Sequence, residues 1–96
     1  MQQLDLHAES RFVLTDEQIN TQLERDTVIL NVNTGKYYSL EGVGSSIWEG
    51  IRAGLSLEAI QEAVLQKYQV NSKECLSDIE ALVQQLFDAG LIRLAN

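Results

Sequence analysis

The chain's only cysteine is Cys75 and its only histidine is His7. A thiolate nucleophile needs a base within hydrogen-bond reach, and these two would form the single Cys–His pair available. Their positions argue against it. Cys75 falls in the first turns of a predicted helix, beside its apolar stripe, where a small thiol packs as a core residue. His7 falls in an N-terminal stretch expected to be flexible. One Cys with one His cannot build a tetrahedral zinc site, and a lone Cys makes no internal disulfide. The carboxylates Asp78 and Glu80 stand two apart on the same helix. They diverge by about 200° around its axis and so do not converge on a common atom. The sequence contains no Gly-rich phosphate loop, no His pair at metal spacing and no Gly-x-Ser-x-Gly elbow. The expectation is a protein with no catalytic residues, no metal and no cofactor.

The elements that would carry these residues fit one small domain spanning 1–96, with residues 1–10 flexible. Of 96 residues, 45% are apolar and 22% charged, an ordinary globular balance, and the formal charge is −7. No apolar run exceeds three residues, Val28 to Leu30 among them, so no segment suits a bilayer. Residues 1–7 show neither the basic region nor the apolar stretch of a secretory signal, which makes the cytoplasm the expected compartment.

Two periods divide the chain. Residues 11–14, 27–32 and 36–40 are rich in β-branched and aromatic residues and read as strands. Asn33, Thr34 and Gly35 form a hairpin connection between the last two, with Gly where the turn needs positive φ. Residues 16–24 are polar and fit either a loop or a short extra strand at 21–24. From Gly42 the period becomes 3.6. Val43, Ile47, Trp48 and Ile51 share one face of a first helix ending near Gly54, and that shared stripe assigns Trp48 to the core. Ser56 caps a second helix running to about Gln69. Ser72 is the expected cap of a third, on which Leu76, Ile79, Leu82, Val83, Leu86 and Phe87 form the apolar stripe as far as Gly90. Leu91 to Leu94 can run extended. The fold class expected is α+β and winged-helix-like: a three-stranded antiparallel sheet followed by three helices.

Such a topology raises nucleic-acid binding, and charge argues against it, leaving a winged-helix DNA-binding regulator as the lesser alternative. The third helix would be the reading element, yet it sets Lys73 against Glu74, Asp78, Glu80 and Asp88, and the other bases are scattered. A binding role for peptides remains. The strand at 36–40 has one Lys and no Pro to blunt an open edge, so an extended peptide could add to it. The alternative is that the N-terminal segment or a second copy covers that edge. Tyr37 and Tyr38 must point to opposite sheet faces, one to the core and one outward.

The residues carrying these features also resemble the PqqD-like family. The pattern comprises the hairpin Gly35, the aromatic strand Tyr37, Tyr38, Ser39 and Leu40, then Gly42, and Ile47 with Trp48 opening the first helix. Gly54 to Ile60, Tyr68 to Val70 and Leu86 to Ile92 extend it over about 27–92. One departure is Glu41, where many members have Asn. The resemblance implies a recognition element that binds the leader of a ribosomally made precursor peptide as an added strand and does no chemistry itself. Its free-standing members serve lasso peptide clusters, beside a leader-cleaving cysteine protease and an ATP-dependent macrocyclase. Others serve radical SAM enzymes. Carried onto this chain, the peptide backbone would pair with Lys36, Tyr37, Tyr38, Ser39 and Leu40. Cys75, Leu76, Ile79, Leu82 and Val83 would form the apolar wall, with Asp78 and Glu80 meeting a basic leader residue.

Overall fold

A computed structural model describes residues 3–95. Its elements follow in the order β1 (Arg11–Leu14), β2 (Gln18–Leu23), β3 (Asp26–Asn31), β4 (Tyr37–Leu40), α1 (Val43–Arg52), α2 (Leu57–Lys67), α3 (Ser72–Asp88) and β5 (Ile92–Ala95). The three-stranded antiparallel sheet is β2-β3-β4, and β1 pairs with β5 in a separate two-stranded ribbon. The expected fold class holds, but its strands are differently recruited. Residues 11–14 leave the main sheet and pair with the C-terminal strand, Phe12 opposite Leu94. The polar segment that could have been a loop becomes β2, in register with β3 from Gln18 opposite Asn31 to Leu23 opposite Asp26. Its polarity has a simple reason. β2 is an edge strand that buries none of its six side chains, so it never needed an apolar face.

In β3 the alternation is strict. Thr27, Ile29 and Asn31 are buried while Val28 and Leu30 are half-buried on the outer face. The β3–β4 hairpin is one residue wider than expected. Asn31 N–H donates to the Lys36 carbonyl at 2.9 Å, leaving 32–35 as the connection. The Asn31 side chain shapes it by accepting from the N–H groups of Asn33 and Thr34 at 2.9 and 3.2 Å. Its amide donates to the Ala89 carbonyl at 2.8 Å, tying the hairpin to the end of α3. Gly35 supplies the positive φ of 74° that the turn requires.

The helices close over one face of the sheet. Trp48, Ile29, Ile51, Ile60, Ile79 and Leu91 lie at its fully buried centre. Ser56 caps α2 as expected, accepting from Ala59 N–H at 3.2 Å. For α3 the cap is Asn71 rather than Ser72: its side chain accepts from Lys73 and Glu74 N–H, and Ser72 is the first helical residue. Asn and Ser cap about equally well, and here the extended backbone sits one residue earlier, at Asn71. α1 and α2 approach closely at Gly50, where a Cβ would lie 2.8 Å from Ile60 Cγ1. The segment expected to be flexible is described from Gln3 onward, with residues 1 and 2 outside the described residues. Leu57 and Glu58 N–H donate to Ser10 and Ala8 carbonyls at 2.7 and 2.9 Å, and Leu4 N–H donates to Gln84 Oε1 at 2.9 Å. The first residues therefore strap α2 to α3.

Candidate functional site at the open edge of the sheet

Among the described residues β4 has one strand neighbour, β3, so its other side is open. The N-terminal segment runs over α2 and α3 and does not pair with it. The hairpin bond from Asn31 N–H to Lys36 fixes which backbone groups face which way. In an antiparallel pair, alternate residues turn both N–H and C=O to the same neighbour. With Thr27 opposite Leu40 and Ile29 opposite Tyr38, residues 36, 38 and 40 bond to β3. Tyr37 and Ser39 then present their N–H and C=O groups to the open side. Their side chains also differ. Tyr37 is 71% exposed on the outer face, whereas Tyr38 is half-buried and packs against the core.

A wall of α3 stands beside this edge. A Cβ built on Gly44 would lie 3.5 Å from Leu40 Cβ and 3.8 Å from Leu82 Cδ2. Leu40, Gly44 and Leu82 therefore converge at one point, an apolar floor joining β4, the start of α1 and the middle of α3. Leu82 marks the side of α3 that looks toward β4. At 100° per residue, Asp78 and Gln85 lie on the same side, one turn either way.

The remaining residues expected on α3 divide by direction. Cys75, Ile79 and Val83 point into the core and are 3%, 0% and 0% exposed. Leu76 and Glu80 lie toward the opposite flank, where a small recess is formed by Leu4, Leu6, Ser77, Glu80 and Gln84. Of the residues expected, the structure brings Leu40 and Leu82 together about Gly44, sets Tyr37 and Ser39 on the open backbone edge beside them, places Asp78 on the Leu82 side of α3 by helical spacing, and holds Cys75, Ile79 and Val83 in the core. Gly44, against Leu40 and Leu82, and Gln85, on the Leu82 side of α3 by helical spacing, were not expected. For Gln85 the signal was the helical spacing from Leu82, usable only once the side of α3 facing β4 was known; Gly44, in α1, carries no such signal.

The thiol of Cys75 has no catalytic setting. Burial, with Asp78 nearby, pushes its pKa up from the ordinary value of 9.0, so it is protonated at neutral pH. His7 is exposed beside Asp5, with Nε2 3.7 Å from the carboxylate. No group of metal-ligating side chains is present among the described residues. The larger concavity, about 760 Å³, lies away from β4, between the β2–β3 turn, α1 and α2. Its hydroxyls are paired, Ser46 with Tyr68 at 3.1 Å and Ser45 with Thr27 at 2.6 Å.

A small α+β domain that leaves one strand edge open beside an apolar, helix-walled floor is built to take in an extended chain. The family within that class is given by comparison. The model for coenzyme PQQ synthesis protein D (PqqD) matches residues 26–92, and the chain belongs to that family. The match covers β3, β4 and the three helices, the parts that make the groove. Two solved structures are similar throughout. One is TbiB1 in complex with the TbiA(beta) leader peptide, at 26% identity and a TM-score of 0.78, covering 83% of this chain and 93% of that one. The other is a lasso peptide synthetase B1 complexed with the leader peptide, at 25% identity and a TM-score of 0.78, covering 86% and 98%. A comparison with curated proteins gives no match. Among the described residues, no helix is long and apolar enough to cross a membrane.

Proposed function

We propose that this chain binds the leader segment of a ribosomally made precursor peptide and presents it to maturation enzymes in lasso peptide biosynthesis, without chemistry of its own. The observation that carries this reading is the edge of β4, where Tyr37 and Ser39 turn backbone groups away from β3 beside the apolar contact of Leu40, Gly44 and Leu82. The similarity to two leader-bound B1 proteins supports it further.

In this reading the leader adds as a strand along β4. It alternates backbone bonds to Tyr37 and Ser39 with side chains directed to either face of the sheet. One inward residue rests on Leu40, Gly44 and Leu82, and Asp78 meets a basic neighbour. Backbone pairing tolerates sequence, so the floor and the α3 rim supply selectivity. The partners are a leader-cleaving cysteine protease and an ATP-dependent macrocyclase, and the setting is the cytoplasm where the precursor is made. The family's link to coenzyme PQQ synthesis keeps a radical SAM enzyme as the alternative partner.

An amide NMR titration of the labelled protein with a panel of leader peptides, one bearing a Tyr-x-x-Pro spacing, tests the reading. The expected result is saturable shifts at residues 37–41, Gly44, Asp78, Leu82 and Gln85. No shift with any leader in a well-dispersed spectrum would refute it. Copurification with the protease or with a radical SAM enzyme then separates the two partner classes.

A further inference from the structure

The sheet has a second open edge, and the reading above does not use it. Among the described residues β2 has β3 as its one neighbour. Val32 N–H donates to the Glu17 carbonyl at 2.8 Å, which sets the odd-numbered residues of β2 as those bonding to β3. Gln18, Asn20 and Gln22 therefore turn their backbone groups outward. The strand contains no charged residue and no proline, the usual means of blunting an edge. Its outer face carries Ile19 and Leu23, 62% and 56% exposed, two of the largest apolar exposures in the chain.

The arrangement about Thr21 is symmetric in kind. Ile19 and Leu23 lie two residues to either side, and Glu17 and Arg25, of opposite charge, lie four to either side. We infer that β2 is a self-association edge, pairing antiparallel with β2 of a second copy about a twofold axis at Thr21. A twofold interface must present one patch to itself, and this register does so. Ile19 meets the partner's Leu23 and Thr21 meets the partner's Thr21. Asn20 and Gln22 exchange backbone bonds with the partner's Gln22 and Asn20. The absence of net charge along the strand matters in a chain of −7, because it lets two copies approach there. The product is a six-stranded sheet in the order β4-β3-β2-β2-β3-β4. Both β4 edges stay open at its far ends, so the pair would be bivalent for whatever β4 binds.

Sedimentation equilibrium of the free chain over a wide concentration range tests this without any leader peptide, so its failure is distinct from failure of the leader reading. The expected result for the native chain is a mass rising from one chain toward two. Ile19→Lys combined with Leu23→Lys sets like charges opposite each other across the axis and should remain monomeric throughout. Ile19→Lys combined with Leu23→Glu sets opposite charges there and should retain association. Both residues are exposed, and unchanged thermal unfolding at low concentration verifies that the fold is kept. A native chain that is monomeric at every concentration, undiminished association in the double-lysine variant, or loss of association in the charge-matched variant overturns the inference. So does pairing of β2 with another protein alone.

Discussion

Replacing Ser39 by proline deletes one of the N–H groups that β4 turns away from β3, while leaving the hairpin ladder intact. The neighbouring substitution, Tyr38→Pro, does the reverse: it removes the N–H aimed at Ile29 in β3 and a ring packed on the core. The two positions are adjacent, so their contrast isolates the direction of one backbone group. For Ser39→Pro the peptide carbonyl that would accept this bond is left unpaired, at about 1–3 kcal/mol. That is roughly 5- to 150-fold in Kd. Edge strands tolerate proline and the preceding residue is already extended, so the fold should change little. Tyr38→Pro should lower stability by about 2–4 kcal/mol, from a lost ladder bond and lost packing. Ser39→Ala keeps the N–H and should bind as the native chain does. Fluorescence anisotropy with a labelled leader peptide gives Kd, and urea unfolding gives stability. Native affinity in a folded Ser39→Pro variant would refute strand addition at β4.

Further outcomes follow from the same geometry. Leu82→Ala should weaken leader binding by about 1–3 kcal/mol, whereas Glu80→Lys, on the other flank of α3, should leave affinity unchanged; equal effects in titration calorimetry would mean the groove lies elsewhere. Ile79→Asp should instead unfold the chain, because it buries an unpaired carboxylate at a fully enclosed position, as circular dichroism would register. Gly50→Ala forces a Cβ to 2.8 Å from Ile60 Cγ1, and should cost about 1–3 kcal/mol in urea unfolding with leader affinity per folded molecule unaltered. Cys75 should resist thiol reagents at pH 8 until the protein is denatured. Its raised folded-state pKa also favours the folded form fully below pH 9.0, and that contribution is lost as pH rises above 9.0 because the unfolded thiol ionises first. A Cys75→Ala variant should lose this part of the alkaline decline.

The helices were legible because each writes a local period. Val43, Ile47, Trp48 and Ile51 recur every third or fourth residue, and Ser56 is an explicit start signal. The β3–β4 hairpin was legible for the same local reason, Gly35 between two β-rich runs. β2 was not legible, since an edge strand with no buried side chain has no alternation to read. Nor was the pairing of β1 with β5, which joins residues 11–14 to residues 92–95 and depends on where three intervening helices bring the chain back. In the groove, the residues of the β4 edge were named from sequence, but their backbone directions required the register. On α3 the stripe marked the helix but could not tell Leu82, which looks toward β4, from Leu76, which lies toward the opposite flank.

The sequence by itself determined the class of protein: small, acidic and carrying the PqqD-like pattern over 27–92. These are properties of composition and of residues near one another in the chain. Tertiary structure decided which side of α3 meets the sheet, which tyrosine is free, and which backbone groups of β4 and β2 remain unpaired. Those choices are set by packing and strand register, where a shift of one residue would reverse every side chain and every edge hydrogen bond.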